Sequence, residues 1–121
     1  MSRSAVTDRP IHSLVRDRWN PPAYSHRPVP PEDLASICEA ARWAASSFNE
    51  QPWRYIVASR DSPDRFAAIL DCLVEGNRAW ARHAAILALG CARSRFTRND
   101  KPNQVAQRYL GLASATSTLK P

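Results

Sequence analysis

The chain has 121 residues, 44% hydrophobic and 23% charged, an ordinary balance that fits one small soluble domain and excludes wholesale disorder. Its net charge of +6 comes from fifteen arginines and two lysines with no run of five, so it reads as a solvated basic surface that favours anionic partners. No RNP-type motif and no Cys–His finger is present, so no specific nucleic-acid recognition is expected. The longest apolar run, Ala84 to Ala92, is too short to cross a bilayer, and no membrane partner is expected. Arg3 and Arg9 are not followed by the apolar core of a secretory signal. Cys38, Cys72 and Cys91 form no metal or redox motif and are expected to be buried thiols in a reducing cytoplasm.

Residues 1–9 are polar and expected to be disordered. Ile11, Leu14 and Val15 have helical spacing, which predicts a short helix ending near Arg18, and Asn20-Pro21-Pro22 must break it. An extended segment follows through Tyr24 to Val29. Pro31-Glu32-Asp33 opens a helix, since proline suits the first helical position and acids suit the helix dipole. Leu34, Ile37, Cys38, Ala41 and Ala45 give it one apolar face. Ser46 to Pro52 is a polar loop, and Trp53 to Val57, aromatic and β-branched, is a strand with Trp53 in the core.

Ser62-Pro63-Asp64 starts the next helix, which buries Phe66, Ile69, Leu70 and Leu73 and which Gly76 ends or bends. Asn77 to His83 is a further helical piece carrying Trp80. Ala84 to Ala92 fits either a helix or a fully buried strand, because it is apolar without a period. Arg93 to Pro102 is a basic loop, and Val105, Tyr109 and Leu112 space a last helix whose pattern fades after Ala113. The sum is an α+β fold, helix-rich, with two strands. His12, His26 and His83 fall in different elements and read as solvated or capping residues.

Three segments carry chemistry when taken together. They are Arg18-Trp19-Asn20-Pro21-Pro22-Ala23-Tyr24, the stretch Ala40 to Arg54 with Ser46-Ser47-Phe48-Asn49-Glu50-Gln51-Pro52-Trp53 at its centre, and Gly76-Asn77-Arg78-Ala79-Trp80-Ala81-Arg82-His83-Ala84. Arginine presents a planar fork of permanent positive donors suited to phosphate, and an amide carries both a donor and an acceptor. Each residue also has a plain alternative. Arg18 can be a surface arginine, Ser46, Ser47 and Asn49 can be turn formers, and Asn77 can cap a helix.

In order and spacing these segments resemble the nitroreductase family of FMN-dependent oxidoreductases, from about Leu14 to about Ala113. The resemblance implies a nitroreductase-like fold, helices packed on a small central sheet, incomplete here and normally a domain-intertwined homodimer. It implies FMN as cofactor, NAD(P)H as reductant, and nitroaromatic, quinone or similar small-molecule electron acceptors. Arg18, Trp19 and Asn20 would meet the phosphate or ribityl chain, Ser46, Ser47 and Asn49 would neighbour cofactor or substrate, and Asn77 would meet the pyrimidine edge of the ring. No catalytic side chain and no metal are implied, because the flavin carries the redox chemistry.

Two departures from the family pattern touch the cofactor. Asn20 and Pro22 stand where the family usually has a serine and a second basic residue, and Pro22 offers neither charge nor N–H. Loss of one charge-assisted hydrogen bond is worth about 1.5–3 kcal/mol, or about ten- to a hundredfold in affinity. Ala45 replaces a usual proline, which loosens the loop. Residues 10–113 thus read as the N-terminal part of such a domain and residues 114–121 as a divergent tail. The alternative to an enzyme is a truncated, non-catalytic remnant or interaction module that binds flavin weakly or not at all. A frame disruption or truncation is the expectation. DNA beyond the stop, read in another frame, is then expected to encode further strands, and its sequencing checks this; unrelated sequence counts against it.

Overall fold

The computed structural model describes residues 4–119. Its centre is an antiparallel pair of strands, β1 (Trp53–Ser59) and β2 (Ile86–Ala92), in register from Trp53 opposite Ala92 to Ser59 opposite Ile86. The apolar run before Cys91 is therefore a strand. Its alanines permit a helix, but pairing along all of β1 between helical layers overrides propensity.

Successive side chains of a strand point to opposite faces, and the two faces here have separate cores. On one face Trp53 packs with Ala41 and Ala113, joined by Tyr55, Tyr109 and Leu110. On the other, Ala58 packs with Phe66 and Ile69, joined by Leu70, Leu87 and Leu89. Burying a side chain such as Phe66 or Ile69 contributes roughly 1.5–3 kcal/mol. Gly90 lies opposite Tyr55 on the first face, where an added Cβ would come within 3.2 Å of a Leu110 methyl. Its missing side chain lets the last helix approach the sheet.

The described residues form five α-helices besides the pair: α1 (Ser13–Arg16), α2 (Pro31–Arg42), α3 (Pro63–Asp71), α4 (Glu75–Ala81) and α5 (Ala106–Ser117). Proline stands at the first helical position of α2 and of α3, with Glu32, Asp33 and Asp64 in their first turns. α5 lies on β1 and β2 and against α2, while α3 packs on the same strands. The expected α+β arrangement of helices on a small sheet is the observed one.

Local departures have physical causes. α1 is a single turn with Asp17 as its C-cap, ending near Arg18 as its spacing predicts. Its N-cap is His12, whose Nδ1 accepts from the Leu14 N–H at 3.2 Å. The break after α3 comes at Cys72, not at Gly76, which lies inside the first turn of α4. Cys38 and Cys72 are exposed and Cys91 is half-buried, so the expectation of buried thiols fails. Cys38 shares α2 with Ala41, but the only fully buried residue of that helix is Ala41. Of residues 1–9, expected to be disordered, residues 1–3 lie outside the described residues; the Ser4 hydroxyl donates to Asp17 and the Ala5 N–H to the Arg16 carbonyl. α5 continues through Ser114 to Ser117, past the point where its apolar spacing fades.

The Ser114 hydroxyl lies 2.8 Å from the Tyr55 hydroxyl, fastening that last turn to the sheet. Tyr55→Phe is expected to lower stability by about 0.5–1.5 kcal/mol in urea unfolding. Trp53→Ala should cost about 3–5 kcal/mol in the same measurement. Equal losses would mean that Trp53 does not anchor the core.

Candidate functional site

The chain leaves α1 through Asp17 into Arg18-Trp19-Asn20. Arg18 donates from Nη1 to Asn20 Oδ1 at 2.8 Å, a neutral acceptor. Among the described residues no carboxylate lies within ion-pair distance of Arg18. The nearby Asp17 is already held, accepting from Arg16 Nε at 2.8 Å, Arg16 Nη2 at 3.0 Å and Ser4 Oγ at 2.7 Å. Arg18 and Trp19 line a cavity of about 340 Å³ with Leu14 of α1 and with Thr118 and Leu119 at the end of α5. Asn20 lines a neighbouring cavity with Pro21, Pro22, Tyr24 and Trp80. Tyr24 stacks on Trp80 with ring centroids 5.6 Å apart and planes 22° from parallel, joining the extended segment to α4.

Ser46 is extended and is followed by a short 3-10 helix, Ser47–Asn49. The Ser46 hydroxyl accepts from the Gln51 N–H at 3.0 Å, and the Gln51 side-chain amide donates to the Arg42 carbonyl at 3.1 Å. The loop is thereby fastened to the end of α2. Asn49 lines a cavity of about 210 Å³ with Arg42, Trp43, Ala44 and Gln51. Ser47 is half-buried and Phe48, 70% exposed, points outward.

Asn77 is exposed in the first turn of α4. Val74, not Asn77, is the N-cap, so the capping alternative does not apply. The Asn77 side-chain amide has no hydrogen-bond partner among the described residues. The first and third segments meet through Tyr24 and Trp80, whereas Asn49 of the second lines a different cavity, and no described cavity is lined by all three groups.

Several relevant residues were not legible in the chain order. Glu50 accepts from both the backbone N–H and the hydroxyl of Thr97 at 2.6 Å, across 47 residues. His26 and His83, which fall in different elements, have ring centroids 5.7 Å apart. Arg60 donates to the Ala84 carbonyl at 3.0 Å and to that of Arg82, tying the end of β1 to the start of β2. The spacing of these residues carries no local signal of contact.

Comparison with known proteins places this arrangement. The nitroreductase family model matches residues 15–113. The chain belongs to the nitroreductase family. It is 38% identical over 69 residues to a nitrobenzene nitroreductase of Ectopseudomonas oleovorans, covering 57% of this chain and 29% of that protein. It is 43% identical over 53 residues to the major NAD(P)H-flavin oxidoreductase of Aliivibrio fischeri, covering 43% of this chain and 24% of that one. A solved oxidoreductase containing FMN superposes with a TM-score of 0.83 at 34% identity over 93% of this chain. A putative nitroreductase from Desulfovibrio desulfuricans, solved in complex with FMN, gives a TM-score of 0.69 at 28% identity over 94% of this chain. The chain spans 58% and 63% of these two structures. Among the described residues no helix of this nitroreductase-family chain is long and apolar enough to cross a membrane, and no group of three or more His, Cys, Asp and Glu is placed to hold a metal.

The Asp17 clasp sets the geometry from which Arg18 departs. The Arg16 side-chain hydrogen bond, and then that of Ser4, draw the Asp17 carboxyl down to about 2. A lowered folded-state value means that the clasp stabilises the fold above the ordinary carboxylate range and is lost as pH falls through about 2. The Asp17 carboxyl carbon resonance is expected to titrate near that value, and Asp17→Asn should remove this acid-side dependence. Titration at the ordinary carboxylate value would show that the clasp does not form.

Proposed function

We propose that this chain provides one side of an FMN site in an oxidoreductase that passes electrons from NAD(P)H through flavin to nitroaromatic, quinone or similar acceptors. We place it in the cytoplasm and working as a homodimer. The observation that carries the reading is the close superposition, over 93% of the chain and at 34% identity, on an oxidoreductase containing FMN.

The donor set fits such a ligand in its chemistry. Arg18 is a guanidinium bonded to a neutral amide and bordering a cavity, so its charge is available to a phosphate. Trp19 and Asn20 flank it with an aromatic body and an amide for the polar chain. Ser47 and Asn49 offer short polar groups on the loop after α2, while the Ser46 oxygen already accepts from Gln51 and acts chiefly on the loop itself. Asn77 has an exposed amide able to match alternating carbonyl and N–H groups. Bound FMN supplies the hydride-transfer chemistry, and the residues of the chain bind and orient it.

Dimerisation is supported by the exposed surface. Trp43, 75% exposed, and Leu112 of α5 are large apolar groups facing solvent. The edges of a two-stranded sheet also lack partners among the described residues. A second reading, a family member that holds flavin weakly and does no catalysis, is favoured by Pro22 and by the absence of a described cavity shared by Arg18, Asn49 and Asn77.

Flavin fluorescence titration with the purified chain separates the readings. Saturable binding with a defined stoichiometry is expected, with NAD(P)H then bleaching the flavin absorbance. Arg18→Ala should weaken binding about ten- to a hundredfold. Absence of saturable binding by the unaltered chain would overturn the enzyme reading for it.

A further inference from the structure

Among the described residues, Phe48 (φ 55°), Asn49 (φ 52°), Gln51 (φ 49°) and Asp100 (φ 55°) are the non-glycine positions with left-handed backbone. All belong to two loops, residues 46–51 and 93–102. Asparagine and aspartate tolerate this region, but phenylalanine and glutamine pay for their Cβ there. Such conformations persist only where the surroundings hold them.

The surroundings here are specific. Glu50 Oε1 accepts from the Thr97 N–H and Oγ1–H, both at 2.6 Å, and Arg93 Nη1 donates to the same hydroxyl oxygen at 3.1 Å. Arg98 covers the Phe48 ring at 3.8 Å and approaches the Phe96 ring at 5.6 Å. Phe48 and Phe96 meet edge to face at 6.1 Å. The second loop is itself braced. Phe96 N–H donates to the Lys101 carbonyl at 2.9 Å, Asn103 N–H to the Ser94 carbonyl at 2.7 Å, and Arg93 N–H to the Pro52 carbonyl at 2.8 Å. The braced loop therefore forms a fixed buttress beside the end of the sheet, and the strained loop leans on it through Glu50.

We infer that Glu50 is a positioning residue, latching the Ser46–Gln51 loop onto Thr97 and so fixing how Ser47 and Asn49 are presented to a flavin. The inference rests on the flavin reading above. The Thr97 hydroxyl, followed by its backbone N–H, holds the Glu50 carboxyl below its ordinary range, so the latch is charged at neutral pH. Without it, Phe48 and Gln51 are released toward less strained backbone, and the neighbouring Ser47 and Asn49 turn with them.

The test compares the full chain with Glu50→Ala, Glu50→Gln and the milder Thr97→Val. Amide hydrogen exchange at Gln51 and Thr97 is read without ligand, and FMN affinity by flavin fluorescence. Glu50→Ala is expected to speed exchange at both amides and to weaken FMN binding, each about tenfold. Glu50→Gln keeps an acceptor oxygen for Thr97 and should restore both to within about threefold. Thr97→Val, which keeps the backbone donor, should fall between and stands in if Glu50→Ala does not fold. Unchanged exchange in the variants overturns the latch. Faster exchange with FMN affinity unchanged overturns its role toward the flavin. A wild-type chain that binds no FMN overturns the flavin reading and this role with it, while exchange alone still decides whether the latch exists.

Discussion

The fold depends on one contact, the seating of Trp53 between Ala41 of α2 and Ala113 of α5. Ala113 has no exposed surface at all and Trp53 only 8%. Two helices can close over a large indole only where both offer small side chains, since interiors pack to near-crystalline density. This contact fixes three things at once. It sets the end of α2, whose Arg42 carbonyl holds Gln51, and it sets the start of β1 just after the loop that carries Ser46 to Asn49. It also sets the path of α5, beyond whose end Thr118 and Leu119 face Arg18. The positions of two of the three residue groups thus follow from one packed ring.

The basic surplus is handled in an unusual way. The ion pairs among the described residues are all exposed, and solvent screening leaves such pairs little weight in stability. Other arginines turn to neutral partners instead. Arg60 bonds the carbonyls of Arg82 and Ala84 and covers the Phe66 ring at 5.1 Å. Arg54 donates to the carbonyls of Gln51 and Trp53, Arg98 lies over Phe48, and Arg18 bonds the amide of Asn20. Hydrogen bonds to carbonyls orient a guanidinium without cancelling its charge. The positive field therefore survives folding, which suits a dianionic ligand and also explains why charge alone says little about where that ligand sits.

What could be read from the chain follows from the range of the interactions. α2 and α3 were legible because their apolar faces, their leading prolines and their first-turn acids are local features. β1 was legible from Trp53-Arg54-Tyr55-Ile56-Val57, but the run before Cys91 was not, because only pairing with β1 decides between strand and helix. The left-handed positions among the described residues carry little local signal since none is a glycine, and only Asn49 and Asp100 are of types that tolerate this region. The Glu50–Thr97 bond and the Tyr24–Trp80 stack join residues distant in the chain, so no spacing rule exposes them. The candidate residues are legible as motifs, whereas their grouping, with Arg18, Asn20 and Asn49 bordering different cavities, is a property of the tertiary structure.

That grouping constrains how a flavin could be held. A flat ring with a phosphate tail needs a cation at one end, hydrogen-bonding amides at the other and exclusion of water along its faces. Arg18 and Asn77 are connected through the Asn20–Tyr24 segment and Trp80, so their separation is set by a stacked aromatic pair rather than by a mobile loop. Ser47 and Asn49 are held instead by a strained turn latched to a braced loop. The two halves border no common described cavity. On the proposed reading the ring is then gripped at its edges by these residues, and the covering of its faces falls to a second copy of the chain. Apolar groups left in solvent, Trp43 near one half and Leu112 near the other, are the surfaces with which such a copy would be expected to close.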